Sequence, residues 1–252
     1  MKTCWAKNIS SCSGKISREH LISKGVFEKQ FLYVKGLPWC KGEEKKVSIA
    51  SLTSKVLCKF HNNALSEVDK AGINAIRVFE SILPEKYRSL ETAPFEKRIN
   101  GHLFERWLLK TSINLAFQGD MHIGVGMADS LPGIPSQYLL EVVFGNMNLT
   151  HKMGLYTLCY EGLEKFRVGS ISVCPIHKNN SIGGFLFHIR GFDFFLSLFP
   201  GHSPPQLKTI GLDLKSGIDD FILNATPEYR KTPVSTIDGS GLQKDVLFNW
   251  NV

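Results

Sequence analysis

An acid and an imidazole stand side by side at Glu19-His20, and Asn62 follows far downstream, directly behind Cys58 and His61. Residues of these types can hydrolyse a phosphodiester. The reaction needs a base to deprotonate water and a divalent cation to neutralise charge on the non-bridging and departing oxygens. Glu19 and His20 supply a hard oxygen ligand and a base from one strand, provided the two side chains are splayed toward a shared cleft. Imidazole as a group is protonated only below about pH 6.5, so it is a competent base at neutral pH. Asn62 offers a second oxygen, and a mixed carboxylate and carboxamide site with open positions favours Mg²⁺ or Mn²⁺.

Cysteine placement adds a second kind of metal chemistry. Four of the six cysteines (Cys4, Cys12, Cys40 and Cys58) fall in the first 58 residues, whereas Cys159 and Cys174 sit in apolar stretches. The N-terminus has no charged leader running into an apolar segment, and no run of about 18 apolar residues occurs. Secretion and membrane spanning are therefore not expected, and the chain is read as cytoplasmic. In that setting clustered cysteines indicate metal binding before disulfides. Charge is concentrated in the same region: residues 1–70 hold 13 Lys plus Arg against 6 Asp plus Glu, which accounts for the whole formal charge of +7. A basic surface suits a polyanion, because neutralising phosphates releases condensed counterions; it can equally be a solvated face. Lys24, Lys29, Lys35, Lys41, Lys45 and Lys46 could contact phosphates or only solubilise the segment that carries them.

Set out in order, the front of the chain reads Cys4, Cys12, Ser17-Arg18-Glu19-His20, then Leu57-Cys58-Lys59-Phe60-His61-Asn62-Asn63. This resembles the HNH (ββα-metal, His-Me finger) endonucleases, in the branch where zinc ligands bracket the active site, over about residues 1–75. The resemblance implies that His20 is the general base and that Glu19 and Asn62 ligate a catalytic Mg²⁺ or Mn²⁺. It also implies a structural Zn²⁺ held by Cys4, Cys12, Cys58 and His61, with Cys40 as a reserve ligand. Such zinc replaces a hydrophobic core that a small module cannot build. Asp69, two helical turns after Asn62, would orient the site or join the metal. The chain departs from the family pattern in having Glu where Asp is usual and Thr53 where the family's middle Asn is expected. Its first cysteine pair is also widely spaced, and its second knuckle is Cys-x-x-His.

These residues need elements to position them. Short segments broken by Gly and Pro fill residues 1–60, with β-leaning pieces at 31–34 and 47–52. Apolar residues at near-helical spacing from Asn63 to Leu83 predict a helix that Pro84 stops, and 85–94 reads as a connector. A second helix is expected over 95–117. Strands are expected at 138–144, 155–160, 168–173, 185–189, 192–199, 221–223 and 246–250, with the dense aromatics of 192–199 as a buried strand. His102, His122, His151, His177, His188 and His202 have no acid at ligand spacing and read as surface or packing residues. The fold class is α+β: a zinc-stapled ββα-metal nuclease module at 1–84, then helices and a mostly antiparallel β-rich domain at 85–252.

The functional expectation is a metal-dependent endonuclease acting on DNA rather than RNA, leaving 5′-phosphate and 3′-hydroxyl ends, in the manner of bacterial or phage-defence effectors. The β-rich part would sense, bind a protein partner or make a homo-oligomer. The alternative is a zinc-stapled nucleic-acid-binding or interaction protein without catalysis.

Overall fold

The computed structural model describes residues 4–27, 31–34, 43–83, 95–117, 119–159, 171–201, 226–237 and 243–251. Cys40, Lys29, Lys35, Lys41, His202, the connector at 85–94 and the strand at 221–223 lie outside the described residues.

The architecture is α+β. Its front is built from β1 (Ile16–His20), β2 (Phe31–Val34), β3 (Lys45–Ser48) and β4 (Thr53–Cys58). β1 pairs antiparallel with β4, and the segment between them folds back as the β2/β3 antiparallel pair. Val56, Leu57 and Cys58 are buried at the end of β4, which gives that strand its inner face. β4 runs directly into α1 (Lys59–Ala64), and α2 (Ser66–Ser81) follows after a break at Leu65. The one helix expected here is therefore two. Leu65 leaves helical geometry at φ −95° and ψ 7° while burying its side chain. Along α2, Val68, Gly72, Ala75, Ile76 and Phe79 form the buried stripe of an amphipathic helix.

The expected helix at 95–117 needs correction at its start. β5 (Phe95–Asn100) comes first, and α3 (Gly101–Ala116) begins where the Asn100 side chain accepts a hydrogen bond from Leu103 N at 2.9 Å. That cap satisfies one of the open amide groups of the first turn and fixes the strand-to-helix switch. β6 (His122–Ile123) is a two-residue strand. The strand expected at 138–144 is instead helix α4 (Gln137–Phe144), capped by Ser136 and ended by Gly145 at φ 91°. Its β-branched and aromatic residues favour a strand in isolation, but the caps and the burial of Leu139, Leu140, Val142 and Val143 settle it as a helix.

Of the other expected strands, β7 (Gly154–Cys159), β8 (Ile171–Lys178), β9 (Ser181–Ile189), β10 (Phe192–Ser197) and β13 (Gln243–Asn249) are present with shifted ends, and β11 (Thr226–Tyr229) and β12 (Val234–Ile237) are strands the sequence did not mark. β11, β7, β10 and β9 lie side by side, with β8 antiparallel to β9 and β6 parallel to it. β12, β13 and β5 make a separate three-stranded sheet, in which β5 runs parallel to β13.

One buried cluster runs through both parts of the chain, from Cys4 and Trp5 to Val246 and Phe248. Phe79 of α2 sits at its middle, with ring centroids 5.6 Å from Phe104, 5.1 Å from Phe192, 5.1 Å from Phe194 and 5.9 Å from Phe248. α2 and α3 approach closely because Gly72 has no side chain; a Cβ there would fall inside the Trp107 indole.

Candidate metal centre

Cys58 ends β4 and precedes the first turn of α1, so Cys58 and His61, three residues apart, share one face of the helix start. The N-terminal turn brings Cys4 to them. Trp5 N donates to Val56 O at 3.0 Å, and Trp5 Nε1 donates to Asn114 Oδ1 at 3.0 Å, which ties this turn to β4 and to α3. Lys59 N donates to Lys15 O at 3.1 Å and closes the loop that carries Cys12.

The result is a cluster of Cys4, Cys12, Cys58 and His61 whose ligand atoms all lie within 4.8 Å of one another. From His61 Nδ1 the three sulfurs are 3.4, 3.8 and 3.2 Å away, in the order Cys4, Cys12, Cys58. A tetrahedral zinc with bonds of about 2.3 Å to sulfur and 2.0 Å to nitrogen spaces such atoms about 3.6 Å apart. The donor set and its dimensions therefore fit a structural metal such as zinc. An imidazole offering its Nδ1 lone pair carries its proton on Nε2, and in that tautomer Nε2–H donates a hydrogen bond to Ser10 Oγ, 2.8 Å away. The ring is also held edge-on by Phe144 of α4, with centroids 5.6 Å apart.

The electrostatics follow from burial and local donors. Burial pushes the Cys4 thiol up to about 12 and raises Cys12 as well. Burial acts in the same sense on Cys58, but hydrogen bonds from the backbone at His61 and Ser13 and from the other two thiols outweigh it and hold Cys58 below its ordinary value. Burial lowers His61, keeping it neutral as a metal ligand must be.

The remaining expected site residues are placed as follows. Strand alternation turns Glu19 inward, 7% exposed, while Arg18 and His20 face the other way. Glu19 Oε1 accepts from Lys110 Nζ at 2.8 Å, and the same ammonium donates to Asp69 Oδ2 at 2.6 Å. Asp69 Oδ1 accepts from Ser23 Oγ at 2.7 Å, and Ser23 Oγ accepts from Trp107 Nε1 at 2.9 Å. Glu19 and Asp69 are thus joined through a lysine that is only 2% exposed. His20 ends β1 opposite Thr53, and its Nε2 is buried with no hydrogen-bond partner among the described residues. Asn62 is half-buried on α1.

Three participants were not anticipated from sequence. Lys110 is the only charged residue in the apolar run from Trp107 to Ile113, and that isolation is its signal. Ser10 lies two residues before a cysteine ligand. His188 does have an acidic partner, Asp193, at 2.7 Å across the β9/β10 hairpin.

In comparison with known proteins, the chain matches no protein-family model, no curated protein and no solved structure. No helix among the described residues is long and apolar enough to cross a membrane.

Proposed function

We propose that the front of the chain is an HNH-type, metal-dependent endonuclease module that hydrolyses phosphodiester bonds, with DNA as its substrate and Zn²⁺ as its structural metal. One observation carries it: His20, whose buried Nε2 has no hydrogen-bond partner among the described residues, lies on an antiparallel strand pair that leads, at its other end, into a helix pinned by a Cys3His cluster. That is a ββα order with a base on the first strand and donors on the helix.

In this mechanism His20 Nε2 takes a proton from water, the oxygen forms a bond to phosphorus, and the P–O3′ bond breaks. The products are a 5′-phosphate and a 3′-oxygen that collects a proton from solvent. A catalytic Mg²⁺ or Mn²⁺ would supply charge neutralisation, with Asn62 as a ligand from α1; Glu19, on the opposite face of β1 from His20 and bound to Lys110, would have to turn outward to join it. Lys110 fixes Glu19 in place while Asp69 takes the other side of the ammonium.

The Glu19–Lys110 bond also favours a second reading, a zinc-stapled nucleic-acid binder without catalysis, because a carboxylate committed to lysine is a weaker cation ligand. Incubating plasmid, single-stranded DNA and RNA with the protein separates the two, with Mg²⁺, Mn²⁺ or no added cation and beside His20→Ala. The nuclease cuts only with added cation, and His20→Ala loses roughly a hundredfold or more in rate while keeping its zinc and its affinity. Binding without cation-dependent cutting of any of the three substrates overturns the nuclease in favour of the binder. The β-rich part would then serve as the surface for a protein partner or a second copy, the module acting in a bacterial or phage-defence setting.

A further inference from the structure

Along β1 and β4 the pairing slips: Ser17 faces Leu57 and Glu19 faces Ser54, so Arg18 alone lies opposite two residues, Lys55 and Val56. Bulges of this kind re-aim side chains and recur beside active sites. This one sets two cations next to each other on the outer face. Arg18 and Lys55 are both exposed, and neither has an ion-pair or hydrogen-bond partner among the described residues. Two like charges brought together across a strand pair repel, weakly here because both are exposed, and an anion placed between them would be favoured.

The space beside them has matching chemistry. Arg18, Ser51, Thr53, Ser54 and Lys55 line an open cleft of about 270 Å³. Ser51 Oγ donates to Ser48 O at 2.7 Å, which leaves the Thr53 and Ser54 hydroxyls as neutral donors beside the two cations. Among the described residues no carboxylate lines the cleft, because alternation along β1 sends Glu19 to the opposite, buried face. Thr53 is the residue paired with His20, and Arg18 lies two residues before it on β1; the cleft is thus beside His20, whose Nε2 is buried.

We propose that this cleft holds a phosphodiester of the nucleic-acid backbone next to the one His20 works on, so that Arg18 and Lys55 position the chain at the strand end. The site rests on the nucleic-acid reading above and assigns the place where the backbone is gripped.

The test is duplex binding by the full-length, zinc-loaded protein in the His20→Ala background, so that the DNA stays intact, with affinity followed against salt. Arg18→Ala/Lys55→Ala should weaken binding at about 0.1 M salt roughly tenfold. It should also make the slope of log K against log salt less negative by about 0.9 for each phosphate no longer neutralised. Arg98→Ala/Lys152→Ala removes the same charge elsewhere and should leave the slope unchanged. An unaltered slope in the Arg18/Lys55 variant, or an equal change in the control, overturns the site while leaving the nucleic-acid function standing. Saturation by inorganic phosphate, abolished in the variant with no change in the duplex slope, marks a lone-phosphate site and also overturns it. Absence of duplex binding by any form sinks the function and the site together. Zinc content and melting temperature confirm that each variant is folded.

Discussion

Ser10 supports the metal centre from behind, its Oγ accepting a hydrogen bond from Nε2–H of His61 while Nδ1 faces three sulfurs. A partner of this kind fixes the tautomer and the ring orientation, and its loss typically weakens metal affinity about 10- to 100-fold without removing a ligand. Ser10→Ala should therefore bind zinc more weakly in a chelator competition while retaining one zinc per chain when the metal is saturating. Unchanged affinity would mean that the imidazole is oriented by Phe144 and burial alone. Cys58 and His61 were legible in the sequence from their knuckle spacing, whereas Cys4 and Cys12, widely spaced, entered through the clustering of cysteines and the family resemblance. Ser10 was not legible, since a serine carries no such signal. Glu19 and Asp69 were legible as acids near the site, but their shared partner lies 91 residues beyond Glu19 on a different helix. No local spacing could show it.

At the scale of elements, Lys110 ties β1, α2 and α3 together with two ionic hydrogen bonds, in a place sheltered from water. Breaking a buried ion pair by removing one partner typically costs about 3–5 kcal/mol, because a charge is left uncompensated. Lys110→Met preserves the side-chain length but strands two carboxylates, and urea denaturation should show a loss of about that size. Adding Glu19→Gln to Lys110→Met should recover part of it, since the second change removes one of the stranded charges. Simple addition of the two losses would show that the bonds are not coupled. Element type was read well where one signal dominated and poorly where two competed. The hydrophobic stripe of α2 and the dense apolar run of β10, buried on both faces, each gave one dominant signal, whereas 138–144 combined strand-forming residues with helix caps at Ser136 and Gly145. Asn100 was likewise the mark of a helix start inside what looked like a continuous helix. The His188–Asp193 pair was open to inference from a hairpin: Arg190 at φ 52° and Gly191 at φ 89° make the two-residue turn that sets those partners opposite each other.

The whole molecule behaves as more than a small module with an appendage. Arg190, at the tip of the β9/β10 hairpin, reaches Glu80 on α2 at 2.9 Å and donates to Val26 O at 3.3 Å. Phe79, from the front of the chain, is wrapped by rings from α3, β10 and β13. Phe144 of α4 packs on His61 of the metal cluster. A buried cluster continuous from Cys4 to Phe248 joins the front of the chain to α3, β10 and β13, beside a second, smaller cluster around Tyr156 and Phe195. Thermal unfolding should then be a single transition, with far-ultraviolet circular dichroism and tryptophan fluorescence reporting the same midpoint. Phe79→Ala, which removes a fully buried ring at the centre of this cluster, should cost about 3–5 kcal/mol and lower that one midpoint for both probes together. Two separate transitions, with only one moved by Phe79→Ala, would instead divide the chain into independently stable parts. Stripping the metal should move the same single midpoint, because the cysteine cluster and the aromatic core belong to one packed interior.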